Sequence, residues 1–298
     1  MLDVVLAPAR PLERGTDVPG RVTLRQGGSA ANTARWLGRL GPRTQLVTAV
    51  GRDAVGRALV AAMRRDRVVV RASRISGKPT GRIGVSVALG GERSFVADRG
   101  AADGLAPGDL RTSWFAPSDG LHLPAYSLLG EPLGSAGRKA AELAHDAGAA
   151  VSVDLASSGP LLAAGRAAAL ALIAAVAPDL LFATEAESSA LLGGQAVEHL
   201  TDLALLAIVK RGPKGASVLV RSDPPGGQVL RFDVATKAIA ATDTTGAGDA
   251  FDAGFLASWL TADPSERRRP TTLRRAVVAG HRTAARQLGR LPEELQLG

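Results

Sequence analysis

The chain contains no cysteine, which excludes disulfides, thiolate metal sites and a cysteine nucleophile. Aromatic residues are only 3% of its 298 positions, against a hydrophobic content of 46%. Ala, Leu and Val must therefore fill the core of one large α/β domain, or of one domain with a small appendage. Lysine is scarce too: of 36 basic residues only Lys78, Lys139, Lys210, Lys214 and Lys237 are lysines, and the formal net charge is +8. The arginines are scattered, with short runs at Arg64-Arg65 and Arg267-Arg268-Arg269 and no interleaved aromatics. That pattern reads as a solvated surface and argues against a nucleic-acid partner. Long apolar runs are missing as well, since Gly165 and Arg166 interrupt the Ala-rich stretch 161–177. Nothing at the N-terminus has the basic start and apolar core of a signal peptide, so a cytoplasmic protein without a membrane partner is expected.

Several phosphate-binding designs are absent. There is no Gly-x-x-x-x-Gly-Lys-Ser/Thr loop, no Gly-x-Gly-x-x-Gly after the first strand and no protein-kinase catalytic loop. His122, His145, His199 and His281 are too far apart in sequence to form a metal-ligand pair.

What is present is a rhythm. Strand-like runs at 3–6, 45–50, 68–71, 120–123, 150–154, 180–183 and 205–210 alternate with helical stretches such as 135–147 and 160–176. This βαβ order predicts a mostly parallel sheet with helices on both faces. Alternating residues at 82–89 and 93–97 around Gly90-Gly91-Glu92 predict a β-hairpin outside that sheet, joined by the strand-like 20–24.

The most informative string is Asp243-Thr244-Thr245-Gly246-Ala247-Gly248-Asp249, preceded by Thr242 and running into the apolar helical pattern from Ala250 to Leu256. Small residues leave backbone amides bare at a helix start, where they and the helix dipole attract phosphate. Asp249 adds a carboxylate in the first turn, so an anion hole stands beside a base, although an acid there is also an ordinary helix cap. Upstream, Gly27-Gly28-Ser29-Ala30-Ala31-Asn32 opens a second helix with Ser29 as expected N-cap and Gly41 as stop. Its glycines let a ligand approach the backbone, and Asn32 can both donate to and accept from a hydroxyl.

Together with Leu40-Gly41 and Val50-Gly51-Arg52-Asp53-x-x-Gly56, these strings resemble the two signatures of the ribokinase-like (PfkB) family of sugar and nucleoside kinases. The resemblance spans nearly the whole chain. It implies a single three-layer α/β/α kinase domain over 1–298, with a mostly parallel central sheet and a small β-sheet lid formed by segments 10–25 and 80–98. It implies an ATP-dependent transfer of phosphate to a sugar hydroxyl, a primary alcohol by preference. Asp249 would be the base, and Gly246, Ala247 and Gly248 the anion hole. Asp3, Asp17, Gly27, Gly28 and Asn32 would hold the acceptor. In relatives an acid like Asp3 ends the first strand, whereas here it lies close to the chain start, which suggests either a shortened strand or a chain that begins late. Thr184, where Asn is usual, would stand with Lys210, Gly212, Gly215 and His281 at the nucleotide, and Glu187 would organise Mg²⁺. Asp243 and Thr245 would hold a monovalent cation such as K⁺, and two copies would pair through the lid. Arg99 would face the acceptor or pair with Asp98. A nucleoside kinase of the adenosine or pseudouridine type, and a sugar-responsive relative without turnover, remain alternatives.

Overall fold

A computed structural model of the protein describes residues 1–297 except 91, 117, 223–226, 242 and 292. Gly91 of the expected hairpin turn and Thr242 at the head of the glycine string thus lie outside the described residues. The chain divides into two compact units. One comprises Met1–Leu105, Ala240–Asp249 and Arg286–Gly298, the other Ala106–Ile239 and Ala250–Ala285.

The first unit begins with β1 (Leu2–Pro8), β2 (Gly20–Gln26), α1 (Ser29–Leu40), β3 (Thr44–Gly51), α2 (Ala54–Arg65), β4 (Val68–Ile75), β5 (Arg82–Val87) and β6 (Arg93–Asp98). Four of these strands form one sheet in the order β2-β1-β5-β6. The first strand, expected in the main sheet with Asp3 at its end, instead lies in the middle of this four-stranded sheet with Asp3 near its start. Register decides what shares a face, because side chains alternate along a strand. Asp3 is opposite Arg25, Val5 opposite Val85, and Val85 opposite Phe95, with Arg93 two positions before Phe95. One face thus carries an acid, two arginines and an apolar floor. β3 and β4 pair in parallel across α2, whose start is capped by the Asp53 carboxylate accepting from Gly56 N–H. The same carboxylate accepts from the backbone and hydroxyl of Thr80, fixing the loop that leads into β5.

In α1 the N-cap is Gly28, at a φ of 98° that only glycine adopts freely, rather than Ser29. Gly41 ends the helix in the left-handed conformation, as its sequence position predicts.

The second unit runs through β7 (Gly120–Pro124), α3 (Leu133–Asp146), β8 (Ala150–Asp154), α4 (Ser158–Leu162), α5 (Arg166–Ala174), β9 (Leu180–Thr184), α6 (Glu185–Leu192), β10 (Leu206–Lys210), β11 (Ala216–Arg221) and β12 (Val229–Val234). The last helices of the chain are α7 (Ala247–Trp259) and α8 (Pro270–Leu288). β7, β8, β9 and β10 are parallel neighbours, and β11 and β12 continue the sheet antiparallel. Central parallel strands are covered on both faces and read as unbroken apolar runs. Leu180-Leu181-Phe182-Ala183 is such a run and is fully buried. The expected helix 160–176 is split in two by Gly165, which has φ of 92° and caps α5. The core is mainly Ala, Leu and Val as composition requires, and Phe182 packs its ring against Phe251 and Phe255, the latter edge-on at 5.3 Å.

Candidate active site

In the first unit, the Asp249 carboxylate is oriented by two side chains from the start of α1. Ser29 Oγ donates to Oδ1 at 2.7 Å, and Asn32 Nδ2 donates to Oδ2 at 2.8 Å. Ser29 is therefore a positioning partner of Asp249, a role that its reading as a helix cap concealed. Gly246 turns the chain at φ of 73°, a conformation that favours glycine, and its Cβ position would sit in ordinary contact with Asn32 Nδ2 at 3.8 Å. The Ala247 N–H closes that turn onto the Thr244 carbonyl at 3.2 Å, which removes it from the three amides expected to face an anion. Gly248 sits in the first turn of α7, where amides lack an intrahelical acceptor.

Asp3 packs directly against Gly27: a Cβ on Gly27 would fall 1.9 Å from Asp3 Oδ1. That oxygen is buried and has no hydrogen-bond partner. Burial is the largest influence on Asp3 and pushes its pKa up to about 6, with the charge of Asp249 acting in the same direction. The amino group of Met1 and Arg25 pull the other way and only partly offset it. An orphaned, half-desolvated acceptor of this kind is completed by a hydroxyl donor. Asp3, Asn32 and Gly246 line one cleft, together with Val5, Val85 and Phe95. Gly28, the N-cap of α1, accepts from the Asn32 N–H at 2.9 Å. Asp17 is not brought there; it lies exposed in the segment between β1 and β2. The Arg99 guanidinium pairs with Asp103 at 2.5 Å.

Asp243 has a different environment from the one its sequence suggested. Oδ2 accepts from Arg25 at 3.1 Å, Oδ1 pairs with Arg93 at 2.5 Å, and Oδ1 also accepts from the Thr245 N–H at 2.9 Å. Burial raises its pKa, but the Thr245 amide and Arg93 outweigh burial and hold it below the usual carboxylate range. The Thr245 carbonyl accepts from Gln287 Nε2 at 2.9 Å.

The residues expected at a nucleotide lie in the second unit. Thr184 and Glu187 form a capping box on α6: Thr184 Oγ1 accepts from the Glu187 N–H, and Glu187 Oε2 accepts from the Thr184 N–H. Lys210 points inward. Its ammonium bonds Asp154 Oδ1 at 3.0 Å and both oxygens of Asp252 at 3.1 and 3.2 Å, so it does not border a ligand as expected. Burial opposes its charge, yet the two aspartates more than offset burial and its pKa is raised. Gly212 and Gly215 make the turn between β10 and β11, and a Cβ on Gly215 would strike the Val234 carbonyl at 2.2 Å. His281 is half-buried against Phe251, with burial lowering its pKa, and its Nε2 has no hydrogen-bond partner.

Among the described residues no three His, Cys, Asp or Glu side chains converge as a metal cage. Magnesium in a phosphoryl-transfer site is held mainly by phosphates and water with one or two carboxylates, and Glu187 fits that demand with its second oxygen. No helix among the described residues is long and apolar enough to cross a membrane.

The family model for the pfkB family of carbohydrate kinases matches residues 1–291. A fructokinase of Klebsiella pneumoniae is 32% identical over 253 residues, covering 81% of this chain and 79% of that protein. An ATP-dependent ribose-1-phosphate kinase of Halopiger xanaduensis is 32% identical over 286 residues, covering 93% and 88%. The structure of a putative ribokinase II from E. coli in complex with ATP and Mg²⁺ aligns with a TM-score of 0.78 at 20% identity, over 98% of this chain and 91% of that one, so the α/β fold is ribokinase-like. The chain belongs to the pfkB family of carbohydrate kinases.

Proposed function

We propose that Asp249 is the base of this kinase and that the Asp3–Asn32 cleft receives the sugar. The observation that carries the reading is the Asp249 carboxylate, held by Ser29 and Asn32 beside the Gly246 turn. A sugar hydroxyl gives its proton to Asp249 as its oxygen forms a bond to the γ-phosphorus of ATP. The bond from that phosphorus to the oxygen bridging it to the β-phosphate breaks, and ADP leaves. Backbone amides of Gly246 and Gly248 stabilise the phosphoryl charge that spreads during transfer. Asp3, lacking a partner on Oδ1, accepts from a second sugar hydroxyl and fixes which alcohol reaches Asp249.

Thr184, Glu187, Gly212, Gly215 and His281 serve the nucleotide in this reading, and Glu187 would hold Mg²⁺, which would supply neutralising charge for the phosphates. Lys210 acts indirectly, by fixing Asp154 and Asp252. The four-stranded sheet is the lid, closing over the acceptor so that water does not compete for the phosphoryl group. Two copies pair through this sheet, which exposes Val22, Phe95 and Val96, and the enzyme works in the cytoplasm.

The test is an ATP-to-ADP coupled assay across pentoses, hexoses, keto-sugar acids, sugar phosphates and nucleosides, run with wild type and Asp249→Asn. The variant should keep its melting temperature and ATP affinity while turnover falls by roughly a hundredfold or more. Wild-type turnover in the folded variant refutes the assignment, and turnover confined to nucleosides replaces the sugar.

A further inference from the structure

Relatives of this chain made Asp243 and Thr245 candidates for a monovalent cation, but their surroundings do not fit one. A cation such as K⁺ needs oxygen atoms with charge to spare. Both Asp243 oxygens are already engaged, by Arg25 at 3.1 Å and Arg93 at 2.5 Å, with the Thr245 amide as a third donor. The Thr245 carbonyl already accepts from Gln287. With two guanidiniums already on this one carboxylate, a further cation at Asp243 would have to displace fixed positive charge. Guanidinium is also permanently charged and forms geometrically fixed bonds to carboxylate, whereas a diffusible ion comes and goes.

We infer that the kinase needs no monovalent cation, because Arg25 and Arg93 supply fixed positive charge at Asp243, three residues before Gly246. The two arginines come from β2 and β6, so they also tie the glycine string to the four-stranded sheet. Arg25 acts from 218 residues away in sequence. Both are positioning residues that act through Asp243, and neither was legible as such in the sequence.

The inference rests on the kinase reading above, so its test has one arm that needs no turnover. Melting temperature is measured in KCl and in tetramethylammonium chloride at equal ionic strength. The expected result is no K⁺-specific shift, and a saturable rise with K⁺ alone overturns the inference. In the coupled assay, turnover of the best acceptor should differ by less than about twofold between the two salts, and a rise of tenfold or more with K⁺ overturns it. Arg25→Met/Arg93→Met should then turn over at least about tenfold more slowly in tetramethylammonium and recover severalfold with K⁺, because Asp243 is released to bind it. A double variant with wild-type turnover in both salts removes the arginines from the role. If wild type phosphorylates nothing in either salt, the kinase reading fails, and the melting curves still decide whether K⁺ binds.

Discussion

Asp3 shows how much one buried carboxylate can say about a site. An unfolded Asp ionises near 3.8, and burial moves Asp3 to about 6 in the folded chain. Between those values the native state holds the proton more tightly, so this group favours folding at low pH and its contribution is lost as pH rises through 6. Above that pH the protein carries an ionised carboxylate with a buried, unpaired oxygen. Asp3→Asn should therefore be more stable than wild type at pH 8, by at most about 3 kcal/mol, and the difference should vanish near pH 4. Other carboxylates, Asp53 and Asp243 among them, are held below their ordinary values and titrate in the opposite sense, so the difference between the two proteins is the quantity to follow. Acceptor binding should move oppositely: the Michaelis constant for the sugar should climb as pH falls below 6, where Asp3 gains a proton and loses its place as acceptor. A Michaelis constant flat from pH 5 to 8 would detach Asp3 from the sugar.

At the scale of elements, the Asp154–Lys210–Asp252 cluster binds β8, β10 and α7 through charges that are almost wholly out of water. Lys210 keeps 10% of its side chain exposed, Asp154 5% and Asp252 none. Removing one partner from such a cluster leaves uncompensated buried charge, commonly at a cost of about 3–5 kcal/mol. Lys210→Met should destabilise by that amount, measured by denaturant unfolding, and adding Asp252→Asn to it should recover part of the loss. Equal destabilisation from the double variant would mean that packing, not charge, is what Lys210 provides. The sequence offered Lys210 only as a basic residue in a glycine-rich turn, and the alternation of β10 says nothing about what a buried face will meet. What was legible follows the same logic. The 82–98 hairpin is visible because its alternation and its turn are local. The break at Gly165 is local too, but a glycine inside an apolar helical pattern is tolerated often enough to pass unread. The placement of β1 was hidden because a strand's own residues do not specify its neighbours, and Val5 finds Val85 only in the folded chain. Asp249 and the glycines before it stood out because the chemistry lies within seven residues. Ser29, Arg25 and Arg93 did not, since each acts on a residue more than a hundred positions away.

For the molecule as a whole, many of the arginines are paired locally with carboxylates, while the formal excess of +8 remains. Arg35 and Arg39 share Asp66, Arg25 and Arg93 share Asp243, Arg211 pairs with Asp233, and Arg221 with Asp202. A polyanion would have to compete with these local carboxylates for the paired arginines, and the remaining positive charge is scattered rather than gathered in one run. The protein should elute from heparin below about 200 mM salt. Retention well beyond that concentration would reveal a continuous basic surface and reopen the question of a nucleic-acid partner.

The division of the chain also has a consequence in time. The first unit takes residues from three separate stretches, the last of them beyond position 285, whereas the second draws most of its sheet from 120 to 234 without interruption. During synthesis β1 and β2 emerge first but must wait for β5, then for the glycine string, and finally for the Leu295 amide that bonds the Leu24 carbonyl. Contacts this distant in sequence form slowly, because the intervening loop must close before it is rewarded. A nascent chain halted after β12 can already own its parallel sheet and yet lack Asp249 altogether. With Asp249 as the base, a product terminated before the glycine string could hold part of its sheet and still lack the group that takes the acceptor's proton.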